Sequence, residues 1–174
     1  MKWLSEDFKN LHALYINQLR ILLSAEEQIV RALPAMRTSA NDEELRQAFE
    51  AHVEKTDGHI KRLEEILGAE KSAHTDVDNI APAKCHAVAA LVQESSDIIV
   101  DARDAWVRDA ALIAAAQRIE HYEIASYGAV RQWARVLGET TAAELLDRTI
   151  KEAGHADHVL TAISERLNPM AKVA

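Results

Sequence analysis

A single cysteine, Cys85, occurs in the 174 residues, so no internal disulfide, zinc ribbon or thioredoxin-type pair can form. Prolines number three and glycines five, too few for extended disorder. Aromatic residues are 5% of the chain. Positive charge is scarce as well: 20 Lys and Arg face 28 Asp and Glu, a formal charge of −8. That excess of acid argues against a nucleic-acid partner, because phosphate contact needs a basic surface. No stretch approaches the roughly 18 apolar residues of a membrane span. The opening MKWLSEDFKN lacks the apolar core and cleavage site of a signal peptide. No membrane partner is expected, and the cytoplasm is the expected location.

What remains is rich in Ala, Leu, Glu and Arg, strong helix formers. Five helical segments read out. The first is expected over about 6–39, with Ser5 as N-cap, Glu6 and Asp7 in the first turn, and a stripe of Leu11, Leu14, Tyr15, Leu22, Ile29 and Leu33. Pro34 should kink it or end it early. Asn41 or Asp42 then caps a second helix to about Leu67, stopped by Gly68. A polar, irregular connection over 69–82 leads to a shorter helix at about 83–102. A long helix from Ala105 to Leu137 ends at Gly138, and the last opens at Thr140 or Thr141 and runs to Leu167, before Asn168-Pro169. Strand patterns are absent. The expected fold is all-α: a single domain with a hairpin over 6–67, a crossover over 68–104 and a hairpin over 105–167. Two such hairpins bury their stripes most simply as an antiparallel four-helix bundle with one long crossover, the ferritin-like connection, here carrying a shorter fifth helix.

The apolar stripes of the long helices are interrupted by polar groups. Glu26 shares the first stripe with Leu22, Ile29 and Leu33. On the second, Phe49, His52, Thr56, His59 and Leu63 line up, with Lys55 beside them. Glu120 and Glu123 accompany Ile113, Ile124 and Tyr127, and Glu152 accompanies Leu145, Thr149, Ala156 and Ile163, with His155 beside it. An unpaired carboxylate in an apolar interior costs several kcal/mol, and several together repel unless protonated or neutralised by a cation. Di-iron or di-manganese bundles supply that cation with ligands from all four helices. Glu120-x-x-Glu123 and Glu152-x-x-His155 have the i, i+3 spacing of such sites. Helices contain such pairs by chance, a helical Glu such as Glu26 is usually solvated, and His52 is as readily a hydrogen-bonded core residue. Arg20, Arg118 or Lys55 could also meet the charge. His121 and Tyr122 turn away from the stripe, and Trp3, Trp106 and Trp133 suit packing or dimer contacts. Gly58, Gly128 and Gly154 would be explained by close helix approach near the site.

The stretch RDAALIAAAQRIEHYEIASYG over 108–128, with SAEEQIVRALP at 24–34, FEAHVEKT at 49–56 and Lys84-Cys85, closely resembles the YciE/YciF family of bacterial stress proteins, a ferritin-like group. The likeness spans nearly the whole chain. It implies a dimer with a binuclear metal site like that of rubrerythrins, a stress-response role and ferroxidase activity. Glu26, His52, Glu120, Glu123 and Glu152 stand where the family keeps its acidic or imidazole positions. Two positions depart. The family usually reads His-x-x-Glu in the second helix, where this chain has Lys55, and consecutive glutamates in the last, where Ala153 follows Glu152. Two expectations follow. Lys55 pairs internally with Glu26 or Glu120 and displaces a metal, leaving a mononuclear site or a non-catalytic dimeric bundle that works through partners; or His155 serves as a replacement ligand while Lys55 turns outward. The balance tips toward the reduced site. Iron is the expected metal, with manganese or zinc as alternatives, held by Glu26, His52, Glu120, Glu123, Glu152 and His155. Tyr127 is expected to donate from the outer shell.

Overall fold

A computed structural model of the chain describes residues 8–73 and 84–172. They form helices α1 (Leu11–Ser39), α2 (Glu43–Ala73), α3 (His86–Asp101), α4 (Ala105–Leu137) and α5 (Thr140–Ala171). α1 and α2 form one hairpin, α4 and α5 the other; α1 lies against α4, α2 against α5, and α3 packs on α1 and α4. This is the four-helix bundle with a crossover helix that the stripes demand.

The helix ends differ from expectation for local reasons. α1 starts at Leu11, where Asn10 Oδ1 accepts the Ala13 N–H at 2.8 Å; the proposed Ser5 cap lies outside the described residues, as do Glu6, Asp7 and Trp3. Pro34 does not stop α1, which continues to Ser39, with Thr38 Oγ1 donating to the Pro34 carbonyl at 2.8 Å. Asp42 caps α2 as expected, accepting the Leu45 N–H at 3.1 Å. Gly68 does not end α2, so the first hairpin reaches Ala73 rather than Leu67. Among the described residues only Gly138, at φ 84°, adopts the left-handed conformation of a helix stop. Beyond Gly68 the helix is held by Glu70, which is buried and 2.9 Å from His12 Nε2. Of the irregular connection, 69–73 are helical and 74–83 lie outside the described residues. Cys85 caps α3 at its own start, so that helix begins at His86. α5 runs through Pro169 instead of ending at Leu167.

The interior is stratified. One apolar cluster gathers Ile29, Leu33, Leu45, Phe49, Leu112, Ile119, Leu160 and Ile163, among others, with Trp106 packed on it. A second gathers Tyr15, Leu19, Leu63, Leu67, Tyr127, Val130 and Leu146, with Trp133 on it. Between these clusters every long helix turns polar residues inward: Glu26 on α1, His52, Thr56 and His59 on α2, Glu120 and Glu123 on α4, Thr149 and, at the edge, Glu152 on α5, beside the buried Ala153. The glycines have no packing role here. A Cβ at Gly128 or Gly154 would meet nothing within 4 Å, and one at Gly58 only the Arg62 side chain, so close helix approach does not explain them.

Candidate metal centre

The polar layer brings five side chains together. Glu26, Glu120 and Glu123 are fully enclosed at 0% exposure, with His59 at 1% and His52 at 6%. They fall into two groups whose ligand atoms lie within 4.8 Å of one another: Glu26, His59 and Glu123, and His52, Glu120 and Glu123. Glu123 belongs to both. Its position follows from α4, where Glu120 and Glu123 sit three residues apart and therefore on neighbouring positions of one face.

Individual contacts explain the orientations. His52 Nδ1 is 3.1 Å from Glu120 Oε1, and His59 Nδ1 is 3.4 Å from Glu26 Oε2 and 3.7 Å from Glu123 Oε1. These are charge contacts not aligned as hydrogen bonds. Tyr127 donates to Glu26 Oε1 at 2.6 Å, and its ring meets His59 edge-on with centroids 6.3 Å apart. Seven buried atoms of the five side chains still lack a hydrogen-bond partner: Glu26 Oε2, His52 Nε2, His59 Nδ1 and both carboxylate oxygens of Glu120 and Glu123. Buried polar groups are ordinarily satisfied. Three carboxylates and two imidazoles this close together, with unsatisfied atoms on each, are a donor set suited to a divalent cation.

Crowding also shifts the proton affinities. Burial, then the charge of Glu123, pushes Glu120 up to about 11 and Glu26 up to about 7. Burial takes His52 down to about 4. Burial likewise opposes charge on His59, but the carboxylates of Glu123 and Glu26 outweigh it and push that imidazole up to about 10. Without a metal, then, a proton on Glu120 and an imidazolium at His59 relieve the repulsion.

A pH dependence follows. Glu120, Glu26 and His59 hold protons more tightly folded than unfolded, so the stability they contribute is complete below the unfolded values of 4.5 and 6.5 and is lost as pH rises through about 7, 10 and 11. His52 has the opposite sign, but only between about 4 and 6.5. Between pH 6.5 and 9 the metal-free chain should therefore lose stability steadily, at up to about 1.4 kcal/mol per pH unit for each of Glu120 and His59, and its melting temperature should fall with it. Thermal melts across that range check this; a flat profile rules out the forced protonation.

Two expected site residues are elsewhere. His155 is exposed on α5: Glu152 already stands at the half-buried edge of the face that Thr149 and Ala153 turn inward, and three residues on His155 lies about 60° further round. Lys55 is exposed on α2 and meets no carboxylate of the site; three residues after His52 it falls off the inward face that Thr56 and His59 continue. The internal ion pair expected of Lys55 is thus corrected: the groups that face Glu26 and Glu120 are His59 and His52. Arg118 is exposed too and faces Glu94 at 3.4 Å. Glu152 reaches the layer but stands outside both groups. Arg62 donates to its Oε2, Arg148 Nε donates to its Oε1 at 3.2 Å, and His59 Nε2 is 3.2 Å from Oε2. Burial raises Glu152, but Arg62, with His59 and Arg148, more than offsets it and holds the carboxyl below its ordinary value. His59 and Arg62 were not among the expected site residues, although His59 lies on the same stripe as His52, two turns on. His121 is exposed as expected, whereas Tyr122 packs against the core and its hydroxyl lies 3.1 Å from Cys85 Sγ.

Known proteins share this sequence and fold. A family model described as a domain of unknown function, DUF892, matches residues 10–171. Protein YciF of Escherichia coli (strain K12) is 40% identical over 155 residues, covering 89% of this chain and 90% of that protein. The crystal structure of the E. coli stress protein YciF superposes with a TM-score of 0.84 at 38% identity, over 92% of this chain and 98% of that one. YcfI of Rhodopseudomonas palustris superposes at 0.81 with 32% identity, over 91% and 98%. No helix among the described residues is long and apolar enough to cross a membrane. With the bundle, its crossover helix and nearly the full length shared, the chain belongs to the DUF892 family of YciF-like proteins.

Proposed function

We propose that the polar layer holds divalent metal, iron foremost, and that the protein oxidises ferrous iron with dioxygen or peroxide in a stress response. The observation that carries this is the convergence of five buried side chains, each with an unsatisfied polar atom, on two groups that share Glu123. Glu26, His59 and Glu123 would hold one ion, and His52, Glu120 and Glu123 the other. Iron bound there supplies the electrons that reduce the oxidant. The chain's own residues do the rest. Three carboxylates stabilise the more highly charged oxidised metal, and the apolar clusters above and below exclude bulk water, which strengthens that attraction. Tyr127 keeps its proton, because burial and then the charge of Glu26 raise it well above the ordinary value. It occupies Glu26 Oε1 and leaves Oε2 for the centre. The same donor set accommodates manganese or zinc. That a solved relative is described as a stress protein supports the physiological context; a homodimer in the cytoplasm belongs to the same proposal.

The test is direct. Protein purified after iron-supplemented expression should carry iron by elemental analysis, and the reduced protein should consume oxygen or peroxide when ferrous iron is added. Less than about a tenth of an atom per chain, with no oxidant consumed, ends the proposal.

A further inference from the structure

The last helix of the bundle offers one carboxylate at the height of the site, yet His59 stands between it and the others. Nδ1 of that ring faces Glu26 Oε2 at 3.4 Å and Glu123 Oε1 at 3.7 Å, while Nε2, on the other side, lies 3.2 Å from Glu152 Oε2. One imidazole therefore touches the inner carboxylates through one nitrogen and an outer carboxylate through the other. Glu152 is 18% exposed where Glu26 and Glu123 are fully enclosed. It is held from outside by Arg62 and Arg148, and Arg62 is tied to α5 a second time, Nε donating to Thr149 Oγ1 at 3.0 Å.

We propose that Glu152 and Arg62 are positioning residues that aim His59, so that α5 supplies the metal centre with an outer carboxylate and no ligand. The assignment rests on the metal reading above. A nitrogen that carries a proton cannot ligate, so an imidazole that donates Nε2–H to Glu152 presents a bare Nδ1 to Glu26 and Glu123. The anionic acceptor also makes the ring a stronger donor and fixes its rotation, as outer carboxylates do for metal-bound histidines generally. Glu152 alone would be a half-turned surface carboxylate free to face water; the two arginines hold it against the ring. The rival arrangement has Glu152 leave Arg62 and join the ligand set. Both its oxygens are already engaged by cationic donors, and His59 occupies the line to the inner group.

The two arrangements predict opposite signs for one substitution. Metal-free full-length protein is titrated with Co²⁺ without oxygen, and stoichiometry, affinity and the visible Co²⁺ band are read. Glu152→Ala should keep the wild-type stoichiometry and band but bind about 10–100-fold more weakly, and Glu152→Gln, which keeps an acceptor, should recover part of the loss. Arg62→Gln should weaken binding several-fold. If Glu152 were a ligand, Glu152→Ala would lose an ion or change the band as Glu26→Ala does, and Arg62→Gln would tighten binding by releasing it. Either result overturns the assignment, as does wild-type affinity in Glu152→Ala. Should Glu152→Ala fail to fold by circular dichroism, Arg62→Gln decides by its sign. In the metal-free chain the ¹⁵N resonance of His59 Nε2 should show a slowly exchanging proton that Arg62→Gln makes faster. Failure of the wild type itself to bind Co²⁺ defeats the metal reading and this assignment with it, and is seen before any variant is measured.

Discussion

Glu123→Ala should cost the protein both metal positions at once. Glu123 is the one residue common to the two groups of ligand atoms, so its loss takes an oxygen from each, whereas Glu26→Ala and Glu120→Ala each deprive one. We expect metal affinity to fall at least 100-fold, on the order of 3 kcal/mol, with bound iron by elemental analysis near background. The two single-group variants should retain part of the metal. Thermal melts give a second readout: added metal should raise the melting temperature of the wild type and barely move that of the variant. A Glu123→Ala protein with full metal content would remove the shared carboxylate from the account.

Asp109→Ala should be the most damaging change outside the polar layer. Asp109 is fully buried near the start of α4, and its two carboxylate oxygens accept the backbone N–H groups of Asn41 at 2.7 Å and Asp42 at 2.8 Å. It thereby holds the turn between α1 and α2 against the second hairpin. Charge-assisted bonds to donors at a helix start are strong, and truncation strands two N–H groups away from water. The expected loss is about 3 kcal/mol, or about 6–12 °C in melting temperature, measured by calorimetry. Asp109→Asn, which keeps an acceptor, should lose about half as much. Arg166, which grips Asp42 from the exposed side with two bonds of 2.8 Å, should matter far less, because solvent screens that pair. If Asp109→Ala melts within about 2 °C of the wild type, the turn is held by something else.

The expectations from sequence succeeded where one helix decides the matter. Apolar periodicity located the long helices, and polar residues inside those stripes singled out Glu26, His52, Glu120 and Glu123, all of which are buried together. They failed where the partner helix decides. Lys55 and His155 have ligand-like spacing from His52 and Glu152, but i, i+3 places two side chains on adjacent faces without saying which face meets the neighbour. His59 was in the stripe and went unassigned because it is seven residues from His52, two turns away, rather than at a familiar ligand interval. Arg62 could not be read at all: its role depends on α2 lying beside α5 at a particular height. Gly68 shows the same limit on the fold side, since burial of Ile66, Leu67 and Glu70 carries the helix past a residue that usually ends one.

The stratified interior has one more consequence. Aliphatic surfaces such as those of α4, with its run of alanines, are nearly interchangeable from turn to turn, and a helix could slip along its neighbour by one turn of about 5.4 Å with little loss of contact. The polar layer forbids it. A slip of any one helix would leave Glu26, Glu120 or Glu123 against bare hydrocarbon and pull the histidines away from their carboxylates, a penalty of several kcal/mol. The residues of the polar layer thus also set the vertical alignment of the four long helices, as a lone buried asparagine does in a coiled coil.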